Sequence, residues 1–450
     1  MPRLPRLALH WQILVGLVAG IVVGIVLNAY GGSIWAAAGV NDSAAYLGGA
    51  ESGDPDANAG AGALAAVYRF LVNLNALVGD LFLRCLRFIA VPIILFSLIV
   101  AVGGISDLQR LGRLGLRTLV LFTVTTIIAV VLGLVIANVF TPGNAIPPET
   151  RDAIAATQSA AAETRIASGQ RASAWALLRS IVPTNPFDAL ARGDMIQVVF
   201  FALALGFGLT LIDRERAGAA VHVFQALTDA ITALVRLLMR AAPFAVFALI
   251  APIVAQLGLG VLQAMLAYCL CVIGGLLVML LIVYPGILRL LTPVGYREFF
   301  RGMAPAQLLA FTSSSSAATL PVTLQCVRDR LGVPHDITSF VASLGTTVNM
   351  DGTALMQAVA AVFIAQLYGY DLTIGQQLVI VLTATLAAIG SPGIPSGGIV
   401  MLVVVLESVG LPLQGIAVIL AVDRILDMCR TVINVTGDSL ACVVVAHAEG

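Results

Sequence analysis

The last long apolar segment of the chain is interrupted by charged side chains in the string AVDRILDMCRTVINVTGDSLACVVV. Asp423, Asp427, Arg430, Asn434 and Asp438 follow one another at spacings of four, three, four and four residues. At about 100° per residue, these spacings put all five side chains on one narrow face of a helix. A charge at the centre of a bilayer costs roughly 2.5–3.5 kcal/mol, so such residues face protein or a watery cavity. The pattern predicts a polar site at membrane depth.

The rest of the chain has the composition of a multi-pass membrane protein. Of its 450 residues, 59% are hydrophobic and 11% are charged, and the mean hydropathy is +1.00. Several segments exceed the roughly 20 apolar residues that a membrane-spanning helix needs. Because a helix satisfies its backbone polar groups internally, we expect an all-α polytopic membrane protein.

The charged and metal-binding residue types argue against several classes of protein. The net charge is zero and there is no basic block, which argues against a nucleic-acid partner. All 24 basic residues are arginine, so the chain lacks the lysine of a Walker-A ATPase or a Schiff-base enzyme. The four histidines are scattered, and no histidine lies near the serine run at 313–316 to act as a general base. We expect a protein that is not an enzyme and has no organic cofactor.

The arginines also indicate the orientation of the chain. Arg3 and Arg6 precede the first apolar segment, and the loop 104–117 carries three more arginines, whereas the loop 30–68 has carboxylates but no arginine. The positive-inside rule then predicts a cytoplasmic N-terminus and a cytoplasmic 104–117 loop. We expect a multi-pass protein of the cell (inner) membrane. The polar stretch 142–180 is expected to be an extracellular loop.

Two segments combine helical hydrophobicity with a polar or helix-breaking centre. These are 298–332, around TSSSSAATLP, and 374–408, around AIGSPGIPSGG. Glycine and proline at this density interrupt a helix, so each segment is expected to be a helical hairpin that enters the membrane and returns. Each hairpin is followed by a span with polar residues, 335–367 and 412–447. This arrangement predicts inverted repeats, and paired interrupted segments indicate the binding site of a transporter.

The string GTTVNMDGT carries a second set of polar residues. Gly345, Asn349 and Thr353 lie four residues apart, with Asp351 and Gly352 among them. An unwound helix offers carbonyl and side-chain oxygens, which are the ligands that hard cations prefer. The alternative is a glycine kink whose polar groups cap one another.

The aspartates of these segments outnumber the arginine beside them. Asp351, Asp423, Asp427 and Asp438 contribute minus four and Arg430 returns plus one, which leaves minus three. Uncompensated anions in a low dielectric either protonate or recruit cations, so the surplus favours a cation site. The alternative is a structural ion pair that locks helices together.

Asp427 and Arg430 suggest the chemistry of a substrate. An acidic amino acid would match both, with its ammonium on Asp427 and a carboxylate bidentate on Arg430. A plain dicarboxylate would use Arg430 but would be repelled by Asp427. The serines of 313–316 and the glycines of 390–398 could supply hydroxyls and amides for the remaining carboxylate.

The strings TSSSSAATLPVT, NMDGTAL, GIPSGG and DMCRTVINVTGD, with VPTNPF and TPG, resemble the dicarboxylate/amino acid:cation symporter family, the glutamate transporter homologues. The resemblance covers nearly the full length of the chain. It implies a homotrimer whose protomers each have eight transmembrane helices and two re-entrant hairpins and move in an elevator-like way. It also implies sodium as the coupling ion.

The resemblance implies a division of the chain into a scaffold and a transport domain. The scaffold would hold helices 1–2 (1–110) and 4–5 (181–258), and the extracellular loop would be 142–180. The transport domain would hold helix 3 (111–141) and the segment 259–450. That segment would contain helix 6, hairpin 1 (298–332), helix 7 (335–367), hairpin 2 (374–408) and helix 8 (412–447).

The resemblance further implies roles for individual residues. The substrate contacts would be Ser316, Thr353, Ile394, Gly398, Asp427, Arg430, Thr431 and Asn434. Three sodium sites would comprise Gly345, Asn349, Asn434 and Asp438; Thr347, Met350, Ala388, Ile389 and Ser391; and Phe122, Thr125, Thr126, Asn349 and Asp351.

The sequence thus favours a sodium-coupled importer of aspartate or glutamate, with hairpin 2 as the outer gate. Proton-coupled transport of glutamate or a C4-dicarboxylate remains open, because the buried aspartates could titrate instead. An anion channel is a more distant alternative, since the sequence offers no ring of basic residues for a pore.

Overall fold

The computed structural model describes residues 9–41, 46–47, 61–104, 108–145, 182–257, 260–391, 393 and 395–449. Every regular element in these ranges is helical, which confirms the expected all-α class. Most of the expected extracellular loop, and Ile394 of the expected substrate site, lie outside the described residues.

The helices of the first half of the described chain are α1 (Leu9–Ala37), α2 (Ala63–Gly103), α3 (Leu108–Phe140), α4 (Pro186–Arg192), α5 (Met195–Thr210), α6 (Arg214–Met239), α7 (Ala242–Leu257) and α8 (Gly260–Val278). Those of the second half are α9 (Tyr284–Leu291), α10 (Tyr296–Ser313), α11 (Ser316–Gln325), α12 (His335–Val348), α13 (Asp351–Leu367), α14 (Ile374–Ile389), α15 (Gly397–Ser408) and α16 (Ile416–Glu449).

Seven helical stretches in the described ranges are long and apolar enough to cross a membrane. They are Trp11–Ala37, Ala63–Gly103, Leu114–Ala145, Arg214–Met239, Leu262–Leu291, His335–Leu367 and Val418–Glu449. The first five carry many exposed large apolar side chains, which only a lipid or protein environment would cover, whereas His335–Leu367 is buried. The chain is therefore a multi-pass membrane protein.

The helix α13 forms the centre of the second half. Every residue from Asp351 to Ala365 is buried. It packs against α3, α8, α14 and α16. A helix that is enclosed on every side has no solvent-facing polar side, which explains why its sequence shows little amphipathic pattern.

The first interrupted segment folds as two helices joined by a short turn. The helix α10 ends because Ser314 adopts a left-handed conformation, with φ of +51°. Ser315 then begins α11, and its hydroxyl accepts a hydrogen bond of 3.2 Å from the backbone N–H of Ala318. This is the N-cap role that serine favours.

The second interrupted segment forms the helices α14 and α15. A capping box between Thr373 and Gln376 begins α14. The turn after α14 reaches the first hairpin, where the Ser315 hydroxyl donates a 2.6 Å hydrogen bond to the carbonyl of Gly393. It also reaches α2, where the Ser97 hydroxyl donates to the carbonyl of Gly390 at 2.7 Å. The two hairpin tips therefore meet each other beside α2.

A break separates α12 from α13. Asn349 and Met350 leave the helical conformation, with φ,ψ of −115°,86° and −116°,54°. The break frees polar backbone groups within the buried interior and begins α13 at Asp351. Two hairpin tips, this break and the middle of α16 thus converge on one region.

Candidate substrate and cation site

The polar stripe of α16 faces the protein interior. Asp423, Asp427, Arg430, Asn434 and Asp438 are each at most 3% exposed. The helix packs against α8, α10, α12 and α13, so the stripe is covered by neighbouring helices.

Arg430 forms ion pairs with both aspartates that precede it on α16. Its Nε donates to Oδ1 of Asp427 at 2.9 Å, and its Nη1 donates to Oδ1 of Asp423 at 2.9 Å. Buried charges are tolerated when they are paired in this way. The arginine charge is thus shared by these two carboxylates.

The second hairpin closes over this ion triad. The backbone N–H of Ser396 donates a 2.7 Å hydrogen bond to Oδ2 of Asp427. Gly398 lies directly against Arg430, and a Cβ at Gly398 would be 3.1 Å from the guanidinium carbon. Gln357 of α13 donates to the carbonyl of Gly398 at 3.2 Å. Glycine therefore lets the backbone of α15 approach the guanidinium closely.

A narrow polar cavity of about 10 Å³ lies at the centre of these contacts, with room for on the order of one water molecule. Seven of the eight expected substrate residues line it; the eighth, Ile394, is outside the described residues. The lining residues are Ser314, Ser316, Met350, Thr353, Ser391, Gly393, Gly398, Asp427, Arg430, Thr431 and Asn434.

Asn434 connects α16 to the break before α13. Its Oδ1 accepts a 2.8 Å hydrogen bond from the backbone N–H of Gly352. Its Nδ2 approaches the Thr353 hydroxyl at 3.3 Å and the Met350 sulfur at 3.4 Å. One amide side chain therefore joins the cavity to the unwound segment.

Asp438 lies deeper on the same helix face. The Nδ2 of Asn349 donates to its Oδ1 at 3.0 Å. Gly345 of α12 packs directly on the carboxylate, and a Cβ there would be 2.6 Å from the Cγ of Asp438. Within the described residues Asp438 has no cationic partner, so its charge requires a proton or a bound cation.

Asp351 is held by three hydroxyl groups. Its Oδ1 accepts from Thr126 at 2.8 Å and from Thr125 at 3.3 Å, and its Oδ2 accepts from Tyr284 at 2.8 Å. Thr125 also lies 3.4 Å from Oδ1 of Asn349. Phe122 lies one turn earlier, and its carbonyl accepts from the Thr125 hydroxyl at 3.1 Å. The hydroxyl and carbonyl oxygens around Asp351 are neutral ligands of the kind that coordinate hard cations.

The remaining expected cation residues lie at the edge of this region. Met350 and Ser391 line the cavity. The carbonyl of Ala388 accepts from the Ser391 N–H at 3.3 Å, and Ile389 ends α14 beside them. The hydroxyl of Thr347 is exposed and donates to Leu344, away from the cavity.

Two residues of the site were not predicted from the sequence. Tyr284 stands in an apolar segment 67 positions before its partner Asp351, and no local pattern signals that contact. Ser396 contributes a backbone N–H, which the glycine-rich string indicates only in general terms. Asp423 was expected as part of the polar stripe, and the structure adds its ion pair with Arg430.

Apolar spanning helices and a buried, charged site enclosed by two hairpins define a multi-pass membrane transporter. The chain belongs to the sodium:dicarboxylate symporter family, whose profile matches residues 9–448. This confirms the resemblance found in the sequence, and the family is one of transporters and not of enzymes.

Three relatives illustrate the similarity. The proton/glutamate-aspartate symporter of Escherichia coli (strain K12) is 34% identical over 99% of this chain and 93% of its own length. The proton/sodium-glutamate symport protein of Bacillus subtilis (strain 168) is 38% identical over 83% of this chain and 86% of its own length. Excitatory amino acid transporter 1 of Ambystoma tigrinum is 36% identical over 82% of this chain and 76% of its own length.

Proposed function

We propose that this chain is a symporter that carries an acidic amino acid, aspartate or glutamate, across the membrane together with sodium ions. The observation that carries the proposal is the buried pair of Asp427 and Arg430 in a narrow polar cavity. A buried carboxylate beside a guanidinium matches the ammonium and a carboxylate of such a substrate.

The other residues of the cavity complete the proposed substrate site, which has to widen from its volume of about 10 Å³ to admit an amino acid. Ser316 is the first residue of α11, where backbone N–H groups favour an anion. Thr353, Thr431 and Asn434 supply hydroxyl and amide groups at the cavity wall. The names of the three relatives include glutamate, aspartate or an excitatory amino acid, which supports an acidic substrate.

Sodium is proposed to bind where the aspartates lack a cationic partner. One site would use Asp438, Asn349, Gly345 and Asn434, and another would use Asp351 with the hydroxyls of α3. Bound sodium would neutralise two buried carboxylates, which lowers the cost of moving them through the membrane. Substrate and sodium would then strengthen each other's binding.

The second hairpin is proposed to be the outer gate, because its Ser396 and Gly398 cover the site. In the proposed mechanism, the transport domain (111–141 and 259–450) moves as an elevator against a scaffold (1–110 and 181–258). We further propose eight spans with inverted repeats and two re-entrant hairpins, a homotrimer, and a cell inner membrane location with a cytoplasmic N-terminus.

The proposal predicts uptake driven by sodium. Purified protein in liposomes should accumulate labelled aspartate or glutamate when a sodium gradient is imposed at equal pH on both sides. Equal sodium on both sides is the control, and it should give exchange without accumulation. Absence of accumulation for both amino acids under every gradient would refute the proposed function.

Proton coupling is the second candidate, because Asp351 and Asp438 have only neutral partners among the described residues and could take up protons instead. The name of the Escherichia coli relative includes proton coupling. A proton gradient without sodium decides between the two. Accumulation under that condition would replace sodium by protons as the coupling ion.

A further inference from the structure

The three nitrogens of the Arg430 guanidinium have different surroundings. Nε is bonded to Asp427 and Nη1 to Asp423, each at 2.9 Å. Nη2 is buried and has no hydrogen-bond partner among the described residues. The two N–H groups of Nη2 are thus available as donors, although the side chain is only 1% exposed.

The arrangement separates the roles of the two carboxylates. A guanidinium binds a carboxylate in a bidentate way along an edge, and one edge consists of Nε and Nη2. Asp427 occupies half of that edge. When Asp427 turns to a substrate ammonium, Nε is released and joins the free Nη2. Asp423 is hydrogen-bonded to Nη1 and does not compete for the edge formed by Nε and Nη2.

We propose that Asp423 is a positioning residue that fixes the Arg430 guanidinium through Nη1 and thereby determines the preference between aspartate and glutamate. The inference rests on the proposed function. With the guanidinium fixed, the distance between the carboxylate site and the ammonium site at Asp427 is also fixed. In the two amino acids one methylene makes the difference in length between the ammonium-bearing carbon and the side-chain carboxylate. With the side-chain carboxylate on Arg430, a fixed distance therefore fits one of them better.

Loss of Asp423 would leave the Arg430 guanidinium free to change its orientation. Without the Nη1 bond, the long side chain of Arg430 adjusts to a substrate of either length. A methylene in a matched site is worth about 10- to 200-fold in discrimination. That discrimination should fall when the guanidinium is released.

The test compares the affinities for aspartate and glutamate, each titrated at the same saturating sodium concentration. The native protein should prefer one of them by about tenfold or more. Asp423→Ala should weaken the preferred substrate by about the native ratio, that is about tenfold or more, and so bring the ratio of affinities close to one. Asp423→Asn keeps an oxygen that accepts from Nη1, so its ratio should stay within about threefold of the native value.

Tyr268→Phe is the matched control. The Tyr268 hydroxyl is buried without a hydrogen-bond partner among the described residues and lies within electrostatic range of Asp423 and Arg430. Its ring packs on Phe363 at a centroid distance of 4.9 Å, which phenylalanine would keep. This change removes a polar atom beside the same charges but touches no bond of Arg430, so the ratio should not change.

Several outcomes would overturn the role of Asp423. One is an equal loss of affinity for aspartate and glutamate in Asp423→Ala, and another is an affinity ratio close to one in Asp423→Asn. A changed affinity ratio in Tyr268→Phe, or a native protein that binds both amino acids equally well, would also overturn it. Asp423→Ser, which is too short to reach Nη1, replaces the alanine variant if that variant does not fold. A native protein that binds neither amino acid would instead refute the proposed function.

Discussion

Arg430→Cys is expected to abolish binding of aspartate and glutamate. The guanidinium is almost fully buried and is the cationic partner of Asp423 and Asp427. Truncating one partner of a buried, hydrogen-bonded charge pair costs about 2–5 kcal/mol, which corresponds to roughly 30- to 4,000-fold in affinity. Isothermal titration of the purified protein with each amino acid in saturating sodium measures the effect.

Arg328→Cys is the matched control for this change. Arg328 is also an arginine of the second half of the chain, but its side chain is 51% exposed and pairs with Asp329 at the surface. Surface pairs contribute little, so binding should be unchanged. Unfolding temperatures of both variants establish that they are folded. Aspartate uptake at the native rate by folded Arg430→Cys would show that Arg430 does not hold the substrate.

The stripe on α16 could be predicted because a long helix imposes its period on every residue it contains. Once Asp423 and Asp438 belong to one uninterrupted helix, their spacing fixes their common face. The two interrupted segments were likewise predictable, since glycine and proline interrupt a helix and serine favours the position at which a helix begins. Ser314 adopts a left-handed conformation at the end of α10, and Ser396 adopts one directly before α15 begins.

The distribution of charge within the site could not be predicted in the same way. From the sequence, only the net charge of the four aspartates and Arg430 together can be calculated. In the folded chain Arg430 pairs with Asp423 and Asp427, whereas Asp351 and Asp438 contact only neutral donors among the described residues. Pairing depends on tertiary distance, and residues such as Tyr284 reach the site from another helix. Because Asp423 and Asp427 are paired with Arg430 and Asp351 and Asp438 are not, the case for bound cations near Asp351 and Asp438 is stronger.

Asp438→Asn is expected to remove most of the sodium dependence of substrate binding. Asparagine has nearly the same shape, so it preserves the packing against Gly345, but it lacks the charge that a cation would neutralise. Coupling between two ligands is typically worth 1–3 kcal/mol, so substrate affinity at saturating sodium should fall by about 5- to 150-fold. The measurement is substrate affinity titrated across a range of sodium concentrations.

Gly345→Ala tests the same site by a steric route. A Cβ at Gly345 would lie 2.6 Å from the Cγ of Asp438, which is closer than non-bonded carbon atoms approach. The carboxylate must therefore move, and the sodium dependence should fall as in Asp438→Asn. Gly274→Ala is the matched control, because a Cβ there meets nothing within 4 Å. If both Asp438→Asn and Gly345→Ala kept the native sodium dependence, Asp438 would not belong to a cation site, and its charge would have to be neutralised by a proton.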